Sequence, residues 1–416
     1  MTKTLYINIH TLWQVSDSPI GIKTKDELKE IKSLKNAYLL VENGHITEFG
    51  SMTSLLPDSD EIYDVKDGMI MPTWVDSHTH LVFATTRENE FVDRINGLSY
   101  TEIAAKGGGI HNSARKLREL PFETLLKDAM DRLYLMISKG TGAIEIKSGY
   151  GQDLENELKM LRVIKEMKKL SPIPIKASFL GAHALPLKFK DNRQGYIDEI
   201  TQKMIPQVAL EGLADYCDVF CEKGFFSPNE MDEILKAGTK HGLRPKIHTN
   251  QFNSMGGIEV AIANDAISVD HLEVLNDSEI ERLAKSTVFA TMLPGAAFFL
   301  DDPFPPARKM IQAGVKLAIA TDYNPGSCPI GDMHFMISLA CVKMKMLPKE
   351  VINSVTINAA HALQLNNKLG SIETGKLANL IITKRIPSID YIPYAICSDF
   401  ISDVIIKGKV FKFNED

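Results

Sequence analysis

Eight apolar runs with strand character alternate with helical segments through the middle of the chain, and this alternation limits the fold more than any other feature. The runs are "DSHTHLVF", "GAIEIKS", "IPIKASFLGAH", "DYCDVFCE", "RPKIHTNQ", "AISVDHLE", "VFATMLP" and "VKLAIATDYNP". Between them lie amphipathic segments such as "LENELKMLRVIKEMKKL" and "PNEMDEILKAGTKHG". Near-continuous apolar strands separated by such helices build a parallel sheet covered by helices. Eight of them favour closure into a (β/α)8 barrel, a fold that uses about 250 residues, over an open sheet. Hydrophobic residues make up 44% of the 416, enough for an ordinary globular core. No stretch reaches the ~18 uninterrupted apolar residues needed to cross a bilayer.

The two ends read differently. "TLYINIH", "AYLLVENGHITEFG" and "IYDVKDGMIMP" are short β segments, and the Asn-Gly pair of "ENGH" favours a tight hairpin. "IKTKDELKEIKSLKN" between them reads as an exposed charged insertion, and the tail "GKLANLIITK" with "DFISDVIIKGKVFK" is again β-patterned. Residues 1–70 and 366–416 are therefore expected to form one small β-sandwich around a barrel at 71–365. Forty-seven basic against fifty-three acidic residues leave a net charge of -6, which speaks against nucleic acid and anionic membranes as partners. The five cysteines include no C-x-x-C pair, so neither a disulfide framework nor a zinc ribbon is expected, and Cys217 and Cys221 read as core groups. The start lacks the apolar stretch and cleavage site of a signal peptide, which points to the cytoplasm.

Polar residues collect at the ends of the apolar runs, where barrels build active sites from the loops that follow. They are His78 and His80, Lys147 with Tyr150, His183, Glu222, His248 with Gln251, His271 with Glu273, and Asp322 with Asn324. Within a strand, Asp76, His78 and His80 would share one face. Imidazoles with a carboxylate suit Zn²⁺, Fe²⁺ or a similar ion, although an H-x-H pair alone is equally a pair of packed or surface histidines. His248, His271 and Asp322 on three further runs favour the metal. His78, His80, His248 and Asp322 would form its shell, His271 would orient water or stabilise an oxyanion, and Asp322 could also accept the water proton.

The order "DSHTH", "KIHTNQ", "VDHLE", "ATDYNP" resembles the amidohydrolase superfamily. The runs "HTHLVFATTRENEF", "GGGI", "EIKSGYG", "FLGAHALP", "DVFCEKGFF", "HTNQFNSMGG" and "TDYNPGS" resemble its ring-opening branch in histidine degradation, and the similarity extends from the first β segments to "GSIETGKLANLII". The resemblance implies a metal-dependent barrel joined to a small β-sandwich, one zinc or iron ion per chain on His78, His80, His248 and Asp322, and a homodimer. It implies substrate contacts from Arg87, Tyr150, His183, Gln251, Asn324, Gly326 and Ser327. The reaction implied is hydrolysis of 4-imidazolone-5-propanoate to N-formimidoyl-L-glutamate by a metal-activated water, with Arg87 clamping the propanoate through two parallel hydrogen bonds.

Two departures stand out. Some relatives carry a carboxylate after the third metal histidine, where this chain reads "HTNQ", which shifts proton transfer to Asp322 and His271; Asn379 replaces an aspartate common in the superfamily. Related barrels also use a carbamylated lysine to bridge two metals, which raises the same question for Lys147. Glu222 and Glu273 would either fix histidine tautomers or pair with a lysine. "GGGI" lacks nucleotide-loop spacing and reads as a mobile loop over the site. His10, His45, His111, His241, His334 and His361 read as surface or core residues. A heterocyclic-amine aminohydrolase and a non-catalytic barrel are the competing functions.

Overall fold

The computed structural model describes residues 2–98, 102, 106 and 108–413. Two eight-stranded sheets organise them. The first half of the chain contributes β1 (Lys3–Trp13), β2 (Ser33–Glu42), β3 (His45–Ser51), β4 (Glu61–Asp64) and β5 (Met69–Pro72). The barrel strands are β6 (Trp74–Asp76), β7 (Thr141–Lys147), β8 (Ile175–Ala182), β9 (Tyr216–Cys221), β10 (Arg244–Thr249), β11 (Ser268–His271), β12 (Phe289–Met292) and β13 (Lys316–Ile319). β14 (Leu380–Thr383), β15 (Ile401–Ile406) and β16 (Lys409–Val410) complete the set.

The mixed sheet runs β16-β15-β14-β5-β1-β2-β3, with β4 paired to β1, so the tail strands join the head strands through the antiparallel β14/β5 pair. Asn43 and Gly44, both at positive φ, make the tight β2/β3 turn that "ENGH" signals. Tyr6, Ile9, Leu12, Leu39, Val41, Ile46, Ile70 and Leu380 form its apolar core. The charged insertion is less exposed than its composition suggests. Leu28 is fully buried, and Asn353 donates to the carbonyls of Leu28 and Glu30, because a single apolar side chain suffices to dock the short Lys25–Lys29 helix.

β6 to β13 pair in chain order, each parallel to the next, as the eight apolar runs predict. The helices between them bury one face each; Leu154–Leu170 is capped by Asp153 and buries Leu158, Leu161 and Ile164, and Pro228–Lys240 starts in a Ser227/Glu230 capping box. The ring is closed by the segments after β6 and β13. Thr79 bridges Tyr323, the Asp322 amide donates to the His78 carbonyl at 3.0 Å, and the His80 amide donates to the Tyr323 carbonyl at 2.9 Å. β6 itself is only three residues long, so His78 and His80 follow the strand instead of lying in it. The Asp76 carboxylate takes the Thr321 amide at 3.1 Å and the Thr321 hydroxyl at 2.6 Å, replacing ladder bonds with side-chain bonds at this seam. Among the described residues, no helix is long and apolar enough to cross a membrane.

Candidate active site

Ring closure sets His78 and His80 directly beside Asp322. All three are buried, as are His248 at the end of β10 and His271 at the end of β11. His78 Nε2 lies 3.4 Å and His80 Nε2 lies 3.6 Å from Asp322 Oδ1, and the Nε2 atoms of His80 and His248 are 3.3 Å apart. Two sets of ligand atoms, from His78, His80 and Asp322 and from His78, His248 and His271, each fall within 4.8 Å of one another. His78 Nε2 is buried with no hydrogen-bond partner, the condition of a nitrogen whose lone pair is reserved for a cation.

The outer nitrogens explain this orientation. Asp270 holds His78 Nδ1 at 2.7 Å and Asp218 holds His248 Nδ1 at 3.0 Å, so each ring donates outward and turns its Nε2 inward. Ser327 Oγ donates to Asp322 Oδ2 at 3.2 Å and leaves Oδ1 facing the histidines. Burial, reinforced by neighbouring cationic groups, drives His78, His80 and His248 well below the usual imidazole range, and burial pushes the Asp322 carboxyl up to about 7. These are neutral donors around a carboxylate, a set that accepts a divalent ion. His271 differs. Burial acts against its charged form, yet Glu273, with Oε1 at 3.4 Å from Nδ1, outweighs burial and raises it. His271, Leu272 and Asp322 have φ of 91°, 73° and 54°, backbone strain of about 1–3 kcal/mol per residue of the kind held at functional sites.

A cavity of about 500 Å³ opens above this cluster, and it is lined by His80, Arg87, Tyr150, His183, His248, Gln251, His271, Asp322, Asn324, Gly326 and Ser327. Every substrate candidate from the sequence therefore reaches one space, but two are used differently from expectation. The Arg87 Nε and Nη2 edge is taken by Glu90 Oε2, so it is not free for a two-bond clamp. Arg87 Nη1 instead reaches Gly326, where a Cβ would lie 2.4 Å from it. Asn324 accepts from the Gly326 and Ser327 amides and donates to the Asp322 carbonyl and Ser327 Oγ, which commits it to shaping the loop that carries Asp322.

Tyr150 and His183 are set by a glycine turn. Gly149, at φ 121°, accepts from His183 Nδ1 at 3.2 Å through its carbonyl, and its missing side chain makes room for that ring. Glu157 accepts from the Gly149, Gly151 and Gln152 amides and so fixes the turn. Glu222 accepts the Lys223, Phe252 and Asn253 amides and, among the described residues, pairs with neither a histidine nor a lysine side chain; it braces the loop bearing Gln251. Lys147 is fully buried, with its Nζ at 2.7 Å from both Glu145 and Asp218. Burial alone would lower it, but Asp218, Glu145 and Asp270 hold it above the ordinary lysine range, and its ammonium is engaged by two carboxylates. Gly107 of "GGGI" lies outside the described residues.

Sequence reasoning missed Arg94 and Asp302, which also line the cavity. Arg94 Nη2 donates to the Gly326 carbonyl at 2.8 Å. It also missed Glu145, Asp218, Lys246 and Asp270 on the inner faces of β7, β9, β10 and β11. The last four carried a readable signal. Charges at period two inside apolar strands, Glu145 with Lys147 and Lys246 with His248, point into the barrel.

A parallel barrel with histidines and an aspartate gathered at its strand ends is the architecture of metal-dependent hydrolases. The sequence pattern of the Amidohydrolase family matches residues 69–411. Imidazolonepropionase from Flavobacterium johnsoniae is 51% identical over 409 residues, covering 98% of this chain and 99% of the relative. Imidazolonepropionase from Christiangramia forsetii is 48% identical, again across 98% and 99% of the two chains. The chain belongs to the amidohydrolase family and, within it, to the imidazolonepropionases. A zinc-bound adenosine deaminase from Xanthomonas campestris shares the fold, with a TM-score of 0.69 at 17% identity over 98% of this chain and 92% of that one.

Proposed function

We propose that the chain hydrolyses the cyclic amide bond of 4-imidazolone-5-propanoate to N-formimidoyl-L-glutamate. The observation that carries this is a single cavity with a cluster of neutral imidazoles and a carboxylate at its floor and two guanidinium groups, Arg87 and Arg94, in its wall. The near full-length likeness to imidazolonepropionases supports it. One zinc or iron ion per chain, held by His78, His80, His248 and Asp322, would polarise the ring carbonyl and lower the pKa of a water.

The chain's own groups do the rest. Arg87, kept rigid by Glu90 and offering Nη1, pairs with the propanoate, and Tyr150, His183 and Gln251 orient the flat ring. Asp322 Oδ2 takes the water proton as oxygen adds to the ring carbonyl carbon, while His271, backed by Glu273, stabilises the charge that develops on the carbonyl oxygen. The carbon–nitrogen bond then breaks, and the proton passes to the departing ring nitrogen. Asn324, Gly326 and Ser327 hold Asp322 and Arg87 in register. We propose with it the division 1–70, 71–365 and 366–416, a homodimer, and a cytoplasmic setting.

Turnover of 4-imidazolone-5-propanoate, followed by its absorbance beside heterocyclic amines such as guanine, tests the substrate. Loss of the imidazolone signal with N-formimidoyl-L-glutamate as product is expected. Release of ammonia from an amine, with the imidazolone untouched, would transfer the chain to the aminohydrolases.

A further inference from the structure

Five charged side chains lie fully buried beneath the histidine cluster: Glu145, Lys147, Asp218, Lys246 and Asp270. Three carboxylates and two ammonium groups in a barrel interior are costly unless each is paired, and replacing such a network by apolar side chains is often neutral or stabilising. Stability alone therefore does not account for them. Lys147 holds the centre. Its Nζ is 2.7 Å from Asp218 Oδ2, 2.7 Å from Glu145 Oε1 and 3.6 Å from Asp270 Oδ2. Asp218 Oδ1 is the partner of His248 Nδ1, and Asp270 Oδ2 is the partner of His78 Nδ1.

We propose that Lys147 is a positioning residue that cross-links the two carboxylates aiming His78 and His248, and thereby sets the affinity of the site for its metal ion. The inference rests on the metal reading of those histidines and not on the identity of the substrate. Asp218 and Asp270 repel one another, and the ammonium between them holds both against their imidazoles. Without it the carboxylates swing apart and each ring is free to rotate its Nε2 out of the common centre. Lys246 provides an internal comparison. It is equally buried and stands 4.0 Å from Asp270 Oδ2, but it bonds the Ser77 carbonyl at 2.9 Å and Glu145, and among the described residues it makes no ion pair with Asp218.

Zinc affinity of the purified full chain, measured by competition with a chromophoric chelator, tests this. Lys147→Met should bind zinc about 10–100-fold more weakly than wild type, the usual loss when a group orienting a metal-bound histidine is removed. Lys246→Met should weaken it far less, and the visible spectrum of the cobalt-loaded chain should change for Lys147→Met alone. The Glu145→Gln/Lys147→Met pair restores the cluster's net charge and covers poor folding of the single variant; it should still bind zinc more weakly than Glu145→Gln. Zinc bound as tightly by the folded Lys147 variants as by their parents, or equal weakening by Lys246→Met, would overturn the role of Lys147. A wild-type chain that takes up no zinc, cobalt or iron would overturn the metal reading as well.

Discussion

Inside the barrel, Glu145, Lys147, Asp218, Lys246 and Asp270 are withdrawn from water together, while the mixed sheet is packed around Ile9, Leu12, Leu39, Ile46 and Ile405. The apolar core gains about 25 cal/mol for each Å² of apolar surface it hides, and many side chains of similar volume would serve. Buried charges offer no such tolerance, since each needs a specific partner. The two regions thus differ in tolerance. The mixed sheet needs only apolar volume, whereas the charges at the centre of the barrel, itself wrapped in a larger apolar core, each need a particular partner to aim side chains at a single point.

The sharpest way to break this contrast is to strike each region and ask for the other's phenotype. His78→Ala or Asp322→Asn should abolish turnover and metal retention while leaving the circular dichroism of the fold intact, with elemental analysis and product formation as the readouts. Leu39→Ala, in the mixed sheet, should cost about 2–5 kcal/mol of stability in denaturant titration yet leave kcat of the folded fraction unchanged. A loss of kcat per folded molecule would show that the sheets are not separable in this way.

Within the barrel, finer changes separate binding from chemistry. Arg87→Met should raise KM about tenfold to a hundredfold with little change in kcat, equivalent to the ~1.5–3 kcal/mol of a charge-assisted hydrogen bond. Gly326→Ala puts a Cβ 2.4 Å from Arg87 Nη1 and should raise KM in the same direction by a smaller factor. Least of all, Lys127→Ala removes an exposed pair with Asp131 and should shift stability by no more than about 0.5 kcal/mol in thermal unfolding.

Much of this was legible in the residues because two periodicities were strong. Eight apolar runs at barrel spacing announce the parallel sheet, and strand-end histidines announce the cluster. The short β6 was not legible: nothing in "VDSHTH" tells that the Asp76 carboxylate will take the Thr321 amide across the seam, since that bond joins residues 245 apart. Arg94 and Asp302 were invisible for a similar reason. Arg94 lies on the short helix Glu88–Ile95 and Asp302 in the non-helical stretch after Pro294–Leu300, both outside any strand, and only tertiary packing brings them to the cavity. The pairing of Arg87 with Glu90 lies three residues away on the chain, but helical spacing alone does not say whether such a carboxylate faces the arginine or the solvent.

The most direct test of the account strips the purified chain with a chelator and restores zinc or iron stepwise while 4-imidazolone-5-propanoate is supplied. Activity that vanishes on stripping and returns linearly, reaching a plateau at about one ion per chain, is the predicted result for a single centre on His78, His80, His248 and Asp322. Full turnover by the metal-free chain, or a plateau that needs two ions, would contradict it.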